Sequence, residues 1–220
     1  MTENTNENIN NTTRIWQCPA EEFLTQAASA APAPGGGSIA AYSAAMAAAM
    51  LCMVANLTVG KEKYRDVATQ AATVLWEAQN LLAALQKQVS RDIEAFGRFA
   101  VVWQMPKETE ADQAARAVQL QETLRNATEA PLATARYSLN VLEWARILAP
   151  IGNASAISDV GVAAYLAEGA LQAALLSVDI NLKSLRDPAY VAKVQAERTL
   201  LPEQAADLRQ QVIAMMERRL

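Results

Sequence analysis

Histidine is absent from the 220 residues. That gap removes the commonest general base, the usual zinc ligand and every Ser-His nucleophile pair. Any chemistry falls to carboxylates, lysine, hydroxyls, amides or backbone groups. Cysteine is scarce, with only Cys18 and Cys52, far apart in unlike surroundings. They offer no disulfide framework, and a reducing, cytoplasmic compartment suits them better. No basic block accompanies the net charge of −4, so nucleic acid is not an expected partner. No stretch of useful length alternates polar and apolar residues as a strand does. The opening MTENTNENINNTTR lacks the apolar core of a signal peptide. It reads as a disordered N-terminal tail over 1–14, ahead of one helical domain over 15–220.

Alanine is plentiful, within 52% hydrophobic and 19% charged residues. Alanine is the best helix former, and its small side chain lets helices approach closely. The expected fold is therefore all-α, a single-domain bundle of long helices joined by short connections. The pattern predicts a short helix near Pro19–Ala31, a second over about Ser38–Leu57 and a third over about Lys63–Val89. A fourth starts near Asp92 and stops at Pro106. A charged amphipathic helix follows, with Thr109 placed three residues before Asp112 as in a loose capping box. Another has Pro131 near its first turn. A long apolar helix ends near Arg186-Asp187-Pro188, and one or two helices cover Tyr190–Arg219.

The uncharged run from Ala27 to Val59 is long enough to suggest a membrane span. Pro32, Pro34 and three glycines break its first third. The rest is mostly alanine and methionine, and it carries Tyr42, Ser43, Asn56 and Thr58. A helix that is apolar all round is what the centre of a bundle needs, so no membrane is expected.

Two junctions are rich in chemistry. Gly35-Gly36-Gly37-Ser38 opens the apolar helix, where unpaired backbone N–H groups and the positive end of the helix dipole favour an electron-rich group. A plain capped turn explains the same residues. Pro150-Ile151-Gly152 leads into Asn153, Ser155, Ser158 and Asp159, more polar groups than one cap requires. Asn56 and Asn181 lie in very apolar helices, where a buried amide must find partners. Gly60 is a natural helix stop. Asp92 suits a helix N-terminus, and Lys107 follows Pro106 in a tight connection.

Taken in order, these residues resemble a known family. They are Pro34-Gly35-Gly36-Gly37-Ser38, MVANLTVGKEKY, Asp92 with Ala95-Phe96, MPKETEADQAAR, NATEAPLA, GNASAISDVGVAAYLAEGALQAALL and INLKSL. The set is similar to the cyclodeaminase/cyclohydrolase family, which includes the C-terminal domain of formiminotransferase-cyclodeaminase and free-standing methenyltetrahydrofolate cyclohydrolases. The resemblance implies an all-helical homodimer that binds a tetrahydrofolate derivative and uses no cofactor beyond it. Ser155 and Ser177 stand where relatives often carry asparagine.

Cyclohydrolases hydrolyse the 5,10-methenyl form to 10-formyl-tetrahydrofolate. Cyclodeaminases close the formimino form and release ammonia. No formiminotransferase domain is expected within these 220 residues, which tilts the expectation towards a free-standing cyclohydrolase, although separate cyclodeaminases also exist. With the resemblance, the candidate bases are Asp92 and Asp159, and Lys107 either donates a proton or holds a substrate carboxylate or carbonyl. Gly35, Gly36, Gly37, Ser38, Asn56, Asn153 and Ser158 are the candidate folate contacts. The competing readings are a non-catalytic helical module and a membrane-embedded helical protein.

Overall fold

The computed structural model describes residues 15–220, so the expected tail lies outside the described residues. It contains α1 (Ala20–Ala27), α2 (Gly36–Thr58), α3 (Ala68–Trp103), α4 (Glu110–Leu148), α5 (Ile157–Leu182) and α6 (Pro188–Glu217). Short 3₁₀ turns lie at Glu62–Val67 and Ala154–Ala156, and no strand occurs among the described residues. The all-α expectation holds.

Two expected breaks do not occur. The third and fourth predicted helices are one, α3, so Asp92 stands within a helix rather than at its start. The two helices expected on either side of Pro131 are also one, α4. Proline has no N–H, so the Ala127 carbonyl one turn earlier loses its usual donor. The Asn181 side-chain amide, on α5, donates to that carbonyl at 2.9 Å. A donor from the neighbouring helix thus fills the vacancy, and the helix continues. This is also the partner that Asn181 was expected to need.

Helix α2 runs through the centre and packs against α3, α4 and α5. Ala44, Ala47, Ala48 and Ala55 are fully buried on it, which lets those neighbours approach closely. Buried hydroxyls along the bundle fold back onto their own helices: Thr58 donates to the Val54 carbonyl, Thr128 to Leu124 and Ser138 to Thr134. Both α2 and the Ala154–Leu182 stretch are long and apolar enough to cross a bilayer by length and composition, and about half of each is buried inside the bundle. Helix α2 ends as expected, with Gly60 at φ +75°. The capping box at Thr109 and Asp112 forms in full.

Ser38 at the start of α2 meets Asp92 late in α3, so the two helices are antiparallel. Beyond Asp92, α3 continues to Trp103, about 16 Å past the first turn of α2. The early turns of α4 accompany this overhang, and Arg116 Nη2 donates to the Trp103 carbonyl at 3.3 Å. Near the start of the chain, Trp16 and Phe23 stack on Tyr42, covering the first half of α2.

Two apolar stripes are left incompletely covered. On α2 the stripe is Ile39, Ser43, Met46, Met50, Met53 and Leu57; on α5 it is Val162, Leu166, Gly169, Ala173, Leu176 and Ile180. Spacings of three and four alternate along both, the pattern of a seam that faces another helix. Met46 is 42% exposed, Leu176 62% and Ile180 68%. The stripes border one another at both ends. Gly36 lies against Ser177, and the Leu57 carbonyl accepts from Asn153 just before α5.

Candidate active site

The glycine junction is ordered by size rather than by unusual torsions. Gly36 and Gly37 belong to the first turn of α2, with Gly35 as N-cap at φ −105° and ψ −165°, extended backbone open to any residue. Space is the constraint. A Cβ added at Gly37 would collide with the Asp92 carboxylate. That carboxylate lies against the N-terminus of α2 and accepts the Ser38 hydroxyl at 2.6 Å. Asp92 therefore does sit at a helix N-terminus, but at that of the neighbouring helix. No α2 side chain caps this end. Ser177 completes the rim, 4.0 Å from the position a Gly36 Cβ would take.

Burial pushes the Asp92 carboxyl above the ordinary aspartate range, against the opposing pull of the Ser38 hydroxyl and backbone amide. Desolvation is the larger effect. A carboxylate with raised proton affinity is suited to general acid–base work. Gly37→Ala should displace Asp92, costing about 1–3 kcal/mol of stability by overpacking and most of any activity that depends on this carboxylate. Thermal unfolding of the purified variant, with activity measured alongside, checks both effects.

One helical turn from Asp92, Gln88 is 2% exposed and its Oε1 has no hydrogen-bond partner among the described residues. It forms part of a cleft of about 340 Å³ between α3 and α4, lined also by Arg91, Glu94, Arg98, Asn126 and Glu129. A buried unpaired acceptor in a cleft wall calls for a donor from a ligand or water. Sequence reasoning missed Gln88. The available signal was its place on the core-facing stripe of α3 with Leu81, Leu85 and Val89, where an amide is out of character.

The other candidate residues do not gather at this end. Asn153 lies at the far end of α2, some 30 Å from Ser38 along the helix. Its backbone N–H donates to Thr58 Oγ1 at 2.9 Å, its Nδ2 to the Leu57 carbonyl at 2.8 Å, and its Oδ1 accepts from the Ser155 N–H. Arg219 holds the same loop through the Ala149 and Gly152 carbonyls, both at 2.7 Å. Ser158 is exposed, and Asp159 is half-buried in the first turn of α5, with no side-chain hydrogen bond among the described residues. Asn56, expected to be buried, is exposed. The helical period turns it out beside Leu57, and Thr58 is the buried polar group there. Lys107 is exposed just beyond the α3 overhang. One chain therefore brings together Gly36, Gly37, Ser38 and Asp92, and carries Asn56, Asn153, Ser158 and Asp159 at the opposite end of α2.

Comparison with known proteins agrees with this architecture. The chain is 41% identical to the methenyltetrahydrofolate cyclohydrolase of Methylorubrum extorquens over 192 residues, 87% of this chain and 92% of that protein. It is 33% identical to the formimidoyltransferase-cyclodeaminase of Sus scrofa over 201 residues, covering 91% of this chain and 37% of that longer one. The crystal structure of formiminotetrahydrofolate cyclodeaminase from Thermotoga maritima superposes with a TM-score of 0.82 at 28% identity, covering 92% of this chain and 98% of that one. The family model for formiminotransferase-cyclodeaminase matches residues 19–199. An all-helical chain that matches this model over most of its length, and one of its relatives over nearly all of both proteins, belongs to the formiminotransferase-cyclodeaminase family.

Proposed function

We propose that the protein is a methenyltetrahydrofolate cyclohydrolase, hydrolysing 5,10-methenyl-tetrahydrofolate to 10-formyl-tetrahydrofolate. The observation that carries this reading is the Asp92 carboxylate, desolvated and held by Ser38 over Gly37. The 41% identity to a cyclohydrolase across nearly the whole of both chains supports it. The methenyl carbon is electrophilic because its amidinium carries positive charge. Asp92 takes a proton from water as the water oxygen bonds to that carbon. The tetrahedral adduct then loses its bond to N5, which receives a proton, and the hydroxyl becomes the formyl carbonyl as its own proton leaves. Before the proton moves, the ionised Asp92 attracts the cationic substrate by charge. The Gln88 oxygen supplies an acceptor for an N–H of the pteridine.

The second reading, formimidoyl-tetrahydrofolate cyclodeaminase, is favoured by the likeness to the Thermotoga maritima structure. Side-by-side assays separate the two. Loss of methenyl-tetrahydrofolate absorbance faster than in buffer supports the cyclohydrolase. Ammonia release from the formimino substrate with no such loss gives the site to the cyclodeaminase. The unpaired Cys18 and Cys52 support a cytoplasmic setting.

The proposed working unit is a homodimer paired through the α2 and α5 stripes. A two-fold axis near the middle of α2 would run the two copies of that helix antiparallel. The start of α2, with Asp92, would then face the end of the other α2, with Asn153, Ser158 and Asp159. This arrangement supports a site shared between subunits, because it reunites residues that one chain keeps about 30 Å apart. Met46→Glu, which puts a charge on the seam, should convert the dimer to a monomer in sedimentation or gel filtration and abolish most activity while leaving the circular dichroism helical. A wild-type chain that runs as a monomer sinks the shared site, and one that stays dissolved only in detergent gives this face to a bilayer.

A further inference from the structure

The α3 overhang carries an aromatic face that nothing above explains. Phe96, Phe99 and Trp103 follow Asp92 at spacings of four, three and four, so all lie on its side of the helix. Phe96 is 40% exposed and Trp103 60%. The rings form a row, with centroids 6.5 Å apart from Phe96 to Phe99 and 5.8 Å apart from Phe99 to Trp103. The Arg116 guanidinium sits over the Trp103 ring at 5.1 Å.

The row ends at a pocket of about 120 Å³ whose charged walls are Lys107, Arg116 and Arg186, with no acidic residue among its lining. Three segments are bound together to form it. Gln113 Nε2 donates to the Lys107 carbonyl at 3.0 Å, Gln121 Nε2 donates to the Ser184 carbonyl at 3.0 Å, and Gln121 Oε1 accepts the Arg186 N–H at 2.8 Å. Arg116 Nε is buried without a hydrogen-bond partner among the described residues. Lys107 and Arg186 form no ion pair among the described residues, whereas Arg136, Arg198 and Arg209 all do. The Glu108 carboxylate beside them accepts the Lys107 backbone N–H at 2.9 Å and pairs with none of the three side chains. Three cations held together with no carboxylate paired to them make an anion site.

We infer that this track binds the aminobenzoyl-glutamate arm of the substrate, with the ring against the aromatic row and a tail carboxylate in the Lys107–Arg116–Arg186 pocket. The inference rests on the folate reading and extends it. Distance supports it: the Asp92–Trp103 separation of about 16 Å is the scale of an aminobenzoyl ring followed by one or two γ-linked glutamates. Charge supports it as well, because the only fixed anions on such a substrate are those carboxylates. Lys107 then binds the substrate at its far end and takes no part in proton transfer at Asp92.

Two measurements test the track, one of them independent of turnover. Trp103 lies under Arg116, so p-aminobenzoylglutamate should change the tryptophan fluorescence of the dimer saturably, and Trp103→Phe should remove the change. Binding should weaken about tenfold in Arg186→Ala, recover in Arg186→Lys, and be lost with p-aminobenzamide, which has no carboxylate. For hydrolysis, Arg186→Ala should raise KM about tenfold for methenyl-tetrahydrofolate and more for its triglutamate, with kcat within about twofold of wild type. On methenyl-tetrahydropteroate, which lacks the glutamate, wild type and variant should behave alike. Equal affinity for p-aminobenzoylglutamate in wild type and Arg186→Ala overturns the track, as does inorganic phosphate binding more tightly than the arylglutamate. Failure to hydrolyse any methenyl substrate, with the fluorescence response intact, rejects the cyclohydrolase reading and leaves the track standing.

Discussion

Asp92→Asn should lower kcat for methenyl-tetrahydrofolate by about 10²–10⁴, the range for loss of a positioned general base. It should do so without loss of fold. Desolvation holds the Asp92 carboxyl above its unfolded value, and this outweighs the bonds from Ser38. For an acid raised in the folded state, the associated stability is complete below the unfolded pKa, about 3.9 for aspartate, and is lost as pH rises through the folded pKa. Near neutrality the ionised carboxylate therefore costs stability, and asparagine removes that cost. The variant should melt at or above the wild-type temperature at pH 7, with the gap closing as pH falls through the raised pKa. Activity has the opposite dependence, since only the ionised form accepts a proton. The wild-type kcat/KM should decline on the acid side with an apparent pKa above that of ordinary aspartate, and this limb should vanish in Asp92→Asn. A variant that melts far below wild type would make Asp92 a structural cap, and one with wild-type turnover would remove it from the mechanism.

Mixing two inactive variants should restore activity. If each site takes Asp92 from one chain and Asp159 from the other, Asp92→Asn and Asp159→Asn dimers are each dead at both sites. Subunit exchange produces mixed dimers in which one site carries both substitutions and the other carries neither. At equal concentrations and full exchange about half the dimers are mixed, so the pool should regain about a quarter of wild-type activity. Turnover measured over time after mixing follows the exchange directly. No recovery despite exchange, shown by mass-tagged subunits, would place each site within one chain or remove Asp159 from it. A double variant with both substitutions in the same chain is the control, because it should rescue neither partner.

Much of the fold was legible because helical periodicity and alanine content are local properties. Gly60 and the Thr109–Asp112 box marked their boundaries for the same reason. The errors at Asp92 and Pro131 have another source. Both residues favour helix ends in isolation, and in both cases the neighbouring helix changes the outcome. Asp92 spends its affinity for a helix N-terminus on α2, and the carbonyl left bare by Pro131 is served from α5. The glycines were legible as a special junction, but the reason is the bulk of a carboxylate fifty-odd positions away, which no local pattern encodes. Asn56 was misjudged because an apolar helix was taken to be buried all round, while its seam faces outward. Arg116 and Arg186 have the spacing of ordinary surface charges, and only the meeting of two distant segments makes a pocket of them.

The bond from Asn181 to the Ala127 carbonyl also acts on movement. Helices packed through alanine present smooth surfaces, and smooth surfaces slide. A polar peg set into a single missing rung admits one axial position, because a shift by a turn would carry the Asn181 amide to a carbonyl already engaged within its own helix. The α4–α5 pair is thereby indexed like a ratchet stopped at one tooth. Gln121 and Arg186 hang from that same pair, so the place of Arg186 beside the α4 wall of the pocket is set by the notch rather than by the grease around it.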